Sequence, residues 1–154
     1  MFRVLLRRFD IKAISVLAVV LATSFFTPAY SAPVPNDDEQ EILVKTTLMT
    51  FNDANLTGNY NILYDKAAKQ FRAQIPLQKV TDSFKEFRDK KINLESIVGD
   101  ELDSSKKASI DGDGVLNLKG RFKNDEKKIR YDLNFVYQDG TWKLLGLVVD
   151  YKQE

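Results

Sequence analysis

The spacing of apolar residues changes along this chain from a helical period to a strand period. Between residues 43 and 87 the apolar side chains recur every three or four positions, as in an amphipathic α-helix. Between residues 115 and 149 they alternate with polar ones, which is typical of strands with one buried face. Because helices come first and an antiparallel meander follows, the sequence predicts an α+β domain with three helices on one face of the sheet.

Local signals mark the ends of these helices. The Pro- and Asp-rich residues 33–41 predict a linker and helix cap, with Asn36 or Asp37 as the N-cap. Thr57-Gly58-Asn59 predicts the end of the first helix, and Pro76 the end of the second. The apolar faces are Leu43, Val44, Leu48, Phe51 and Ala54; Tyr60, Tyr64, Ala67 and Phe71; and Leu77, Val80, Phe84 and Phe87.

The strands are predicted from alternation and turn residues. Asp139-Gly140 suits a two-residue hairpin turn. Asp111-Gly112-Asp113-Gly114 resembles a calcium loop, but the twelfth position holds Phe122 instead of Glu, so a hairpin turn is the better interpretation. The predicted strands are 92–98, 115–123, 128–138 and 141–151, with a polar loop at 99–107.

The last predicted strand is apolar on both faces. One explanation is a homodimer through the outer face of the sheet, with Leu145, Leu147 and Val149 at the interface. The alternative is a β-bulge near Gly146 that moves side chains from one face to the other.

The N-terminus has the order of a secretory signal. Four basic residues precede the apolar stretch 13–26, which small residues follow, so we expect a signal peptide over residues 1–32 with cleavage after Ser31 or Ala32. The apolar stretch is shorter than the roughly 20 residues of a membrane-spanning helix. An uncleaved anchor is the alternative. Arg7-Arg8 partly resembles a twin-arginine motif, but Sec export is the expectation because Asp10 interrupts that motif.

Composition excludes several functions. The chain has no Cys and no His, so disulfides, thiolate metal sites and Ser-His-Asp catalysis are excluded, and we expect no cofactor and no metal. Removal of residues 1–32 leaves 122 residues with 19 Lys and Arg against 21 Asp and Glu. This mildly acidic balance argues against nucleic-acid binding. We expect residues 42–154 to form a single periplasmic domain with no membrane anchor after cleavage.

Several segments together resemble the nuclear transport factor 2-like superfamily. They are the helical block of residues 43–88, residues 113–120, Tyr131-Asp132-Leu133-Asn134-Phe135 and the Gly-x-Trp-Lys-Leu motif of residues 140–144. The resemblance implies a cystatin-like cone in which three helices pack on a curved antiparallel sheet around a cavity. It implies that four aromatic residues line this cavity; alternatively they fill it. These residues are Tyr64, Phe84, Tyr131 and Trp142.

The family includes enzymes and binding proteins, so the resemblance leaves three functions open. The first is an exported non-catalytic protein that holds a small apolar ligand or an envelope protein partner. The second is an isomerase- or dehydratase-type enzyme that uses Tyr and carboxylate groups in the cavity. The third is a homodimeric envelope assembly module with a filled cone.

Alternation places Asp132 on the outer face, beside Lys119 and Arg121, so we expect it to form an ion pair rather than act as a base.

Overall fold

The computed structural model describes residues 2–3, 32–124 and 127–153. The predicted signal peptide lies largely outside the described residues, so its cleavage remains a prediction. None of the helices in the described ranges combines the length and the apolar character that a membrane crossing needs.

Helix α1, Asp37–Thr57, begins and ends where the sequence predicts. The Asn36 side chain accepts a hydrogen bond from the Glu39 amide at 2.9 Å, and the Glu39 carboxylate accepts one from the Asn36 amide at 2.9 Å. This reciprocal capping box satisfies two amides that the first helical turn leaves without partners. Gly58 follows the helix with a φ of 72°, the left-handed conformation that favours glycine.

The rest of the helical half is more divided than predicted. Ala67 forms a parallel bridge with Leu144 of the last strand, and the Ala68 amide donates to the Leu144 carbonyl oxygen at 2.8 Å. This pairing requires extended backbone, so the second predicted helix is broken in two. The third is broken at Phe84. The short helices are α2, Asn61–Lys66; α3, Lys69–Gln74; α4, Leu77–Ser83; and α5, Lys85–Asp89.

The predicted strand at residues 92–98 is wrong. This segment is a loop followed by a 3₁₀ helix, Glu95–Val98. Ile92, Leu94 and Ile97 are all buried, and the buried Asn52 side chain of α1 accepts a hydrogen bond from the Leu94 amide at 2.8 Å. The apolar residues therefore pack against α1 and are not part of a β ladder.

The sheet is antiparallel throughout, in the order β1-β5-β4-β3-β2, and with the helices it confirms the α+β class. The predicted loop at 99–107 is also wrong, because most of it belongs to β2. This edge strand has no apolar alternation that could have identified it. The strands are β1, Phe2–Arg3; β2, Glu101–Ile110; β3, Val115–Lys123; β4, Lys127–Gln138; and β5, Thr141–Gln153.

Both predicted hairpin turns are confirmed. Asp139 and Gly140 have φ values of 51° and 78°, and they connect β4 to β5. In the turn before β3, the Asp111 carboxylate accepts hydrogen bonds from the amides of Asp113 and Val115, each at 3.0 Å.

The two faces of the sheet differ as the alternation predicts. Apolar side chains of β3, β4 and β5 join the helices in one core. The outer face carries cross-strand ion pairs, Lys119 with Asp132 at 2.8 Å, Arg121 with Asp103 at 2.7 Å and Lys123 with Glu101 at 3.0 Å. The predicted ion-pair role of Asp132 is confirmed, and its pair with Lys119 connects β3 to β4. The other two pairs connect β2 to β3.

Strand β5 contains a β-bulge, the alternative explanation for why both of its faces are apolar. Asn134 of β4 is opposite Gly146 and Phe135 is opposite Leu144, so Leu145 is the inserted residue. Leu147 and Val149, with 1% and 0% of their surface exposed, belong to the core of the protomer itself. These two residues are therefore not on the outer face, where the interface was expected, since the bulge turns them toward the helices. The homodimer stays a prediction.

Candidate functional site

The interior around Phe84, between the short helices and β5, is filled with side chains. The Phe84 ring is fully buried and lies 4.7 Å from the Phe51 ring and 6.1 Å from the Tyr60 ring, measured between centroids. A cavity of only about 10 Å³ remains there, next to Tyr64, Phe84 and Leu147. Such a volume is at the lower limit for one water molecule, so this interior has no room for an organic ligand.

Buried polar side chains in this interior bind one another. The Tyr60 hydroxyl donates to the Asn55 side-chain oxygen at 2.5 Å, and the Asn55 amide donates to the Phe51 carbonyl oxygen at 2.9 Å. Arg88 donates from Nη1 to the Tyr60 hydroxyl at 3.0 Å. These bonds connect α1 and α5 through Tyr60, which precedes α2, and pair polar groups in the core, which is a structural role.

The four aromatic residues expected to line one cavity do not lie around one site. Phe84 belongs to the core, and Tyr64 lies beside the small residual cavity with its hydroxyl 3.0 Å from the carbonyl oxygens of Arg72 and Ile75. Tyr131 and Trp142 line two separate concave surfaces. The structure therefore does not bring these four aromatic residues together around one cavity.

Tyr131 lines a cleft of about 220 Å³ between α1 and the strands β2, β3 and β4. Its ring lies over Gly120 of β3, which is directly opposite in the ladder. Burial raises the pKa of Tyr131 above the usual value of a tyrosine hydroxyl. A hydrogen bond with Ser104 lowers this pKa, whereas the charges of Asp103 and Glu41 raise it. The other residues of this Tyr131 cleft are Asp37, Gln40, Val44, Leu102, Lys106, Leu118 and Lys119.

The raised pKa values of two tyrosines predict a loss of stability at alkaline pH. Burial also raises the pKa of Tyr60, against the effect of Arg88. Both hydroxyls bind their protons more tightly in the folded chain, so their contribution is complete below about pH 10 and is lost as the pH rises through the folded-state values. We expect urea titrations to give a free energy of unfolding that declines above that pH, and to decline less steeply for the Tyr60→Phe/Tyr131→Phe variant. Equal slopes would contradict this assignment.

Trp142 lines a groove of about 300 Å³ between α1, α2 and the β4–β5 hairpin. The hairpin holds the indole ring in position, because the Tyr137 ring lies edge-on at 5.3 Å and the Tyr137 hydroxyl donates to the Gly140 carbonyl oxygen at 3.0 Å. We call this surface the Trp142 groove. Its other residues are Ile42, Leu43, Thr46, Thr47, Thr50, Leu63, Lys66, Phe135, Thr141, Lys143 and Leu144.

Apolar side chains in the Trp142 groove remain open to solvent. Ile42 is 63% exposed, an unusual position for a large aliphatic side chain near other apolar groups. Lys66 and Lys143 add positive charge, and neither has a carboxylate partner within the part of the chain that the structure describes. The groove therefore combines an apolar surface with two cations.

The sequence interpretation identified Trp142 but missed the α1 side of the groove. Ile42, Thr46 and Thr50 follow one another at intervals of four along α1, so they share a face of the helix. The signal that could have found them is Ile42, a large aliphatic residue outside the predicted core stripe. Across residues 2–3, 32–124 and 127–153, no three acidic side chains come together in a way that could hold a metal ion.

Comparisons with known proteins returned no match that bears on this geometry. No protein-family model matches the sequence, and the searches of curated proteins and of solved structures also returned no match.

Proposed function

We propose that this chain is an exported, non-catalytic binding protein that holds a small apolar ligand with an anionic end in the Trp142 groove. The observation that carries the proposal is the groove itself, an open volume of about 300 Å³ that lies outside a filled core. Its volume is at the lower end of the roughly 300–1,000 Å³ of small-molecule sites. Export to the periplasm rests on the predicted signal peptide.

The side chains of the groove define the chemistry of the ligand. Trp142, Leu63 and Ile42 offer aromatic and aliphatic surface to a hydrocarbon chain. Lys66 and Lys143 favour a negative group at the end of that chain, where it remains partly hydrated. A medium-chain fatty acid has both features, so dodecanoate is a suitable probe.

A nuclear transport factor 2-like fold is part of the same proposal. The order of helices before an antiparallel meander supports it, as does the motif Gly140-Thr141-Trp142-Lys143-Leu144 at the start of the last strand. We propose no reaction, because none of the Asp and Glu residues that the structure describes is buried, and Asp37 and Glu41 of the Tyr131 cleft are exposed.

The proposal can be tested with intrinsic fluorescence, since Trp142 is the only tryptophan of the chain. We expect dodecanoate, kept below its critical micelle concentration, to shift the emission of Trp142 in a saturable manner. Ile42→Glu places a carboxylate in the groove and is expected to weaken binding by at least about tenfold, equivalent to about 1.4 kcal/mol.

Ile62 provides a matched control. It is 64% exposed on α2, against 63% for Ile42, and it is not part of the groove. Ile62→Glu is therefore expected to bind dodecanoate as the unchanged protein does, whereas dodecanol is expected to bind more weakly because it lacks the anionic end. Absence of a saturable response, or equal losses in the two glutamate variants, would rule out the groove as a ligand site. A protein partner would then be the better interpretation.

A further inference from the structure

Strand β5 forms one side of the sheet and has a partly open edge. Strand β4 pairs along one side of it. On the other side, Ala67–Ala68 covers the backbone at Leu144, and Phe2–Arg3 pairs with residues 150–151. Open edges of this kind are sites where a further strand can add through backbone hydrogen bonds.

The strand that covers residues 150–151 belongs to the segment that export is predicted to remove. Phe2 is opposite Tyr151 and Arg3 is opposite Asp150. Both lie within the predicted signal peptide of residues 1–32, so cleavage would leave this part of the β5 edge without its partner.

Strand β5 itself contains a dipeptide similar to the Phe2-Arg3 that cleavage would remove. Tyr151-Lys152 has an aromatic residue followed by a cation, as Phe2-Arg3 has. If two β5 strands pair antiparallel with Tyr151 opposite Tyr151 of the partner subunit, then Lys152 of the partner subunit takes the position of Arg3 opposite Asp150. Two-fold symmetry repeats this Asp–Lys pair on the other side.

The surroundings of Asp150 favour this register. Asp150 is opposite Arg130 of β4, yet its Oδ1 atom is buried and accepts no hydrogen bond within the described part of the chain. Lys152 is opposite Lys128 of β4, and like charges directly opposite each other destabilise a ladder. A partner's carboxylate beside Lys152 offsets that repulsion.

We propose that the processed protein forms a homodimer through the edges of β5, with Tyr151 at the two-fold axis. The contact covers Val149 to Gln153 of each protomer and joins the four strands β2 to β5 of one copy to the same four strands of the other. This interface uses the edge of the sheet and leaves the Trp142 groove of each protomer separate. The dimer can form only after the signal peptide is removed, so export has to precede assembly.

Charge reversal tests both the interface and the register. The full-length gene is expressed in an exporting host, the N-terminus of the purified protein is determined by mass spectrometry, and its mass in solution is measured by sedimentation velocity. We expect a dimer at tens of micromolar. Asp150→Lys and Lys152→Asp are each expected to weaken dimerisation by at least about tenfold, because each places like charges opposite one another twice in the dimer.

Mixing the two variants restores opposite charges. An equimolar mixture of Asp150→Lys and Lys152→Asp is expected to form a heterodimer by native mass spectrometry, and the Asp150→Lys/Lys152→Asp double variant is expected to dimerise alone. Circular dichroism verifies that each variant is folded before mixing. A monomeric processed protein, a purified protein that retains Phe2 and Arg3, or a dimer that both single changes leave intact would each overturn the proposal.

Discussion

Replacement of Phe84 by alanine is expected to lower the free energy of unfolding by about 3–5 kcal/mol, the range for buried phenylalanines. The ring is fully buried and lies within 4.7 to 6.4 Å of the rings of Phe51, Tyr60 and Phe87. Its removal loses the transfer free energy of the ring and leaves a cavity that these neighbours can fill only in part. Urea denaturation followed by circular dichroism measures the change.

This variant also distinguishes a filled interior from a hollow one. In a hollow ligand cavity, Phe84 would have few neighbours and its loss would cost little. Ile62→Ala is the matched control, because Ile62 is 64% exposed and its loss is expected to change stability by less than about 0.5 kcal/mol. A similarly small change for Phe84→Ala would show that the core around Phe84 is not filled.

Gly120→Ala is expected to destabilise the sheet by about 3 kcal/mol, the upper part of the range for overpacking. A Cβ atom at this position would lie 2.5 Å from the Tyr131 hydroxyl oxygen and 2.7 Å from the Asp103 carbonyl oxygen. The second contact is with backbone of β2, so β2 or β3 must shift to relieve it. Thermal and urea unfolding of the variant measure this cost.

Gly112→Ala is the control for Gly120→Ala. Nothing lies within 4 Å of a Cβ atom at Gly112, so this change is expected to be nearly neutral. The Gly120→Ala/Tyr131→Phe variant is expected to recover part of the lost stability, because it removes the closest of three contacts and keeps those with Tyr131 Cζ at 2.9 Å and with the Asp103 backbone. A neutral Gly120→Ala variant would show that the Tyr131 ring does not lie over this position.

The features that sequence predicted correctly all depend on neighbouring residues. The helix cap at Asn36 and the end of α1 at Gly58 each follow from a few consecutive residues. The same is true of the Asp139-Gly140 turn, in which both residues need positive φ. Alternation predicted β3, β4 and β5 for a similar reason, since each of these strands has one face in the core.

The features that sequence missed depend on segments distant in the chain. The break at Ala67–Ala68 exists because Leu144 of β5 pairs there, and β2 exists because β3 offers both a ladder and cross-strand ion pairs. For the candidate site, the sequence pointed to Trp142 and Tyr131 but placed them in one cavity. The rings of Phe51, Phe84 and Phe87 pack against one another in the core, and a linear pattern of apolar residues does not show which surfaces remain open around such a cluster.

The sequence by itself determined the α+β class, the caps and turns, and which face of β3 and β4 is buried, because these follow from local backbone preference and from the period of apolar side chains. Tertiary structure decided the β2 edge, the inserted Leu145 and the position of the open groove. Those depend on how large side chains fill a shared volume and on which backbone edges find partners. Such outcomes are set by contacts between distant segments, which no single window of the sequence contains.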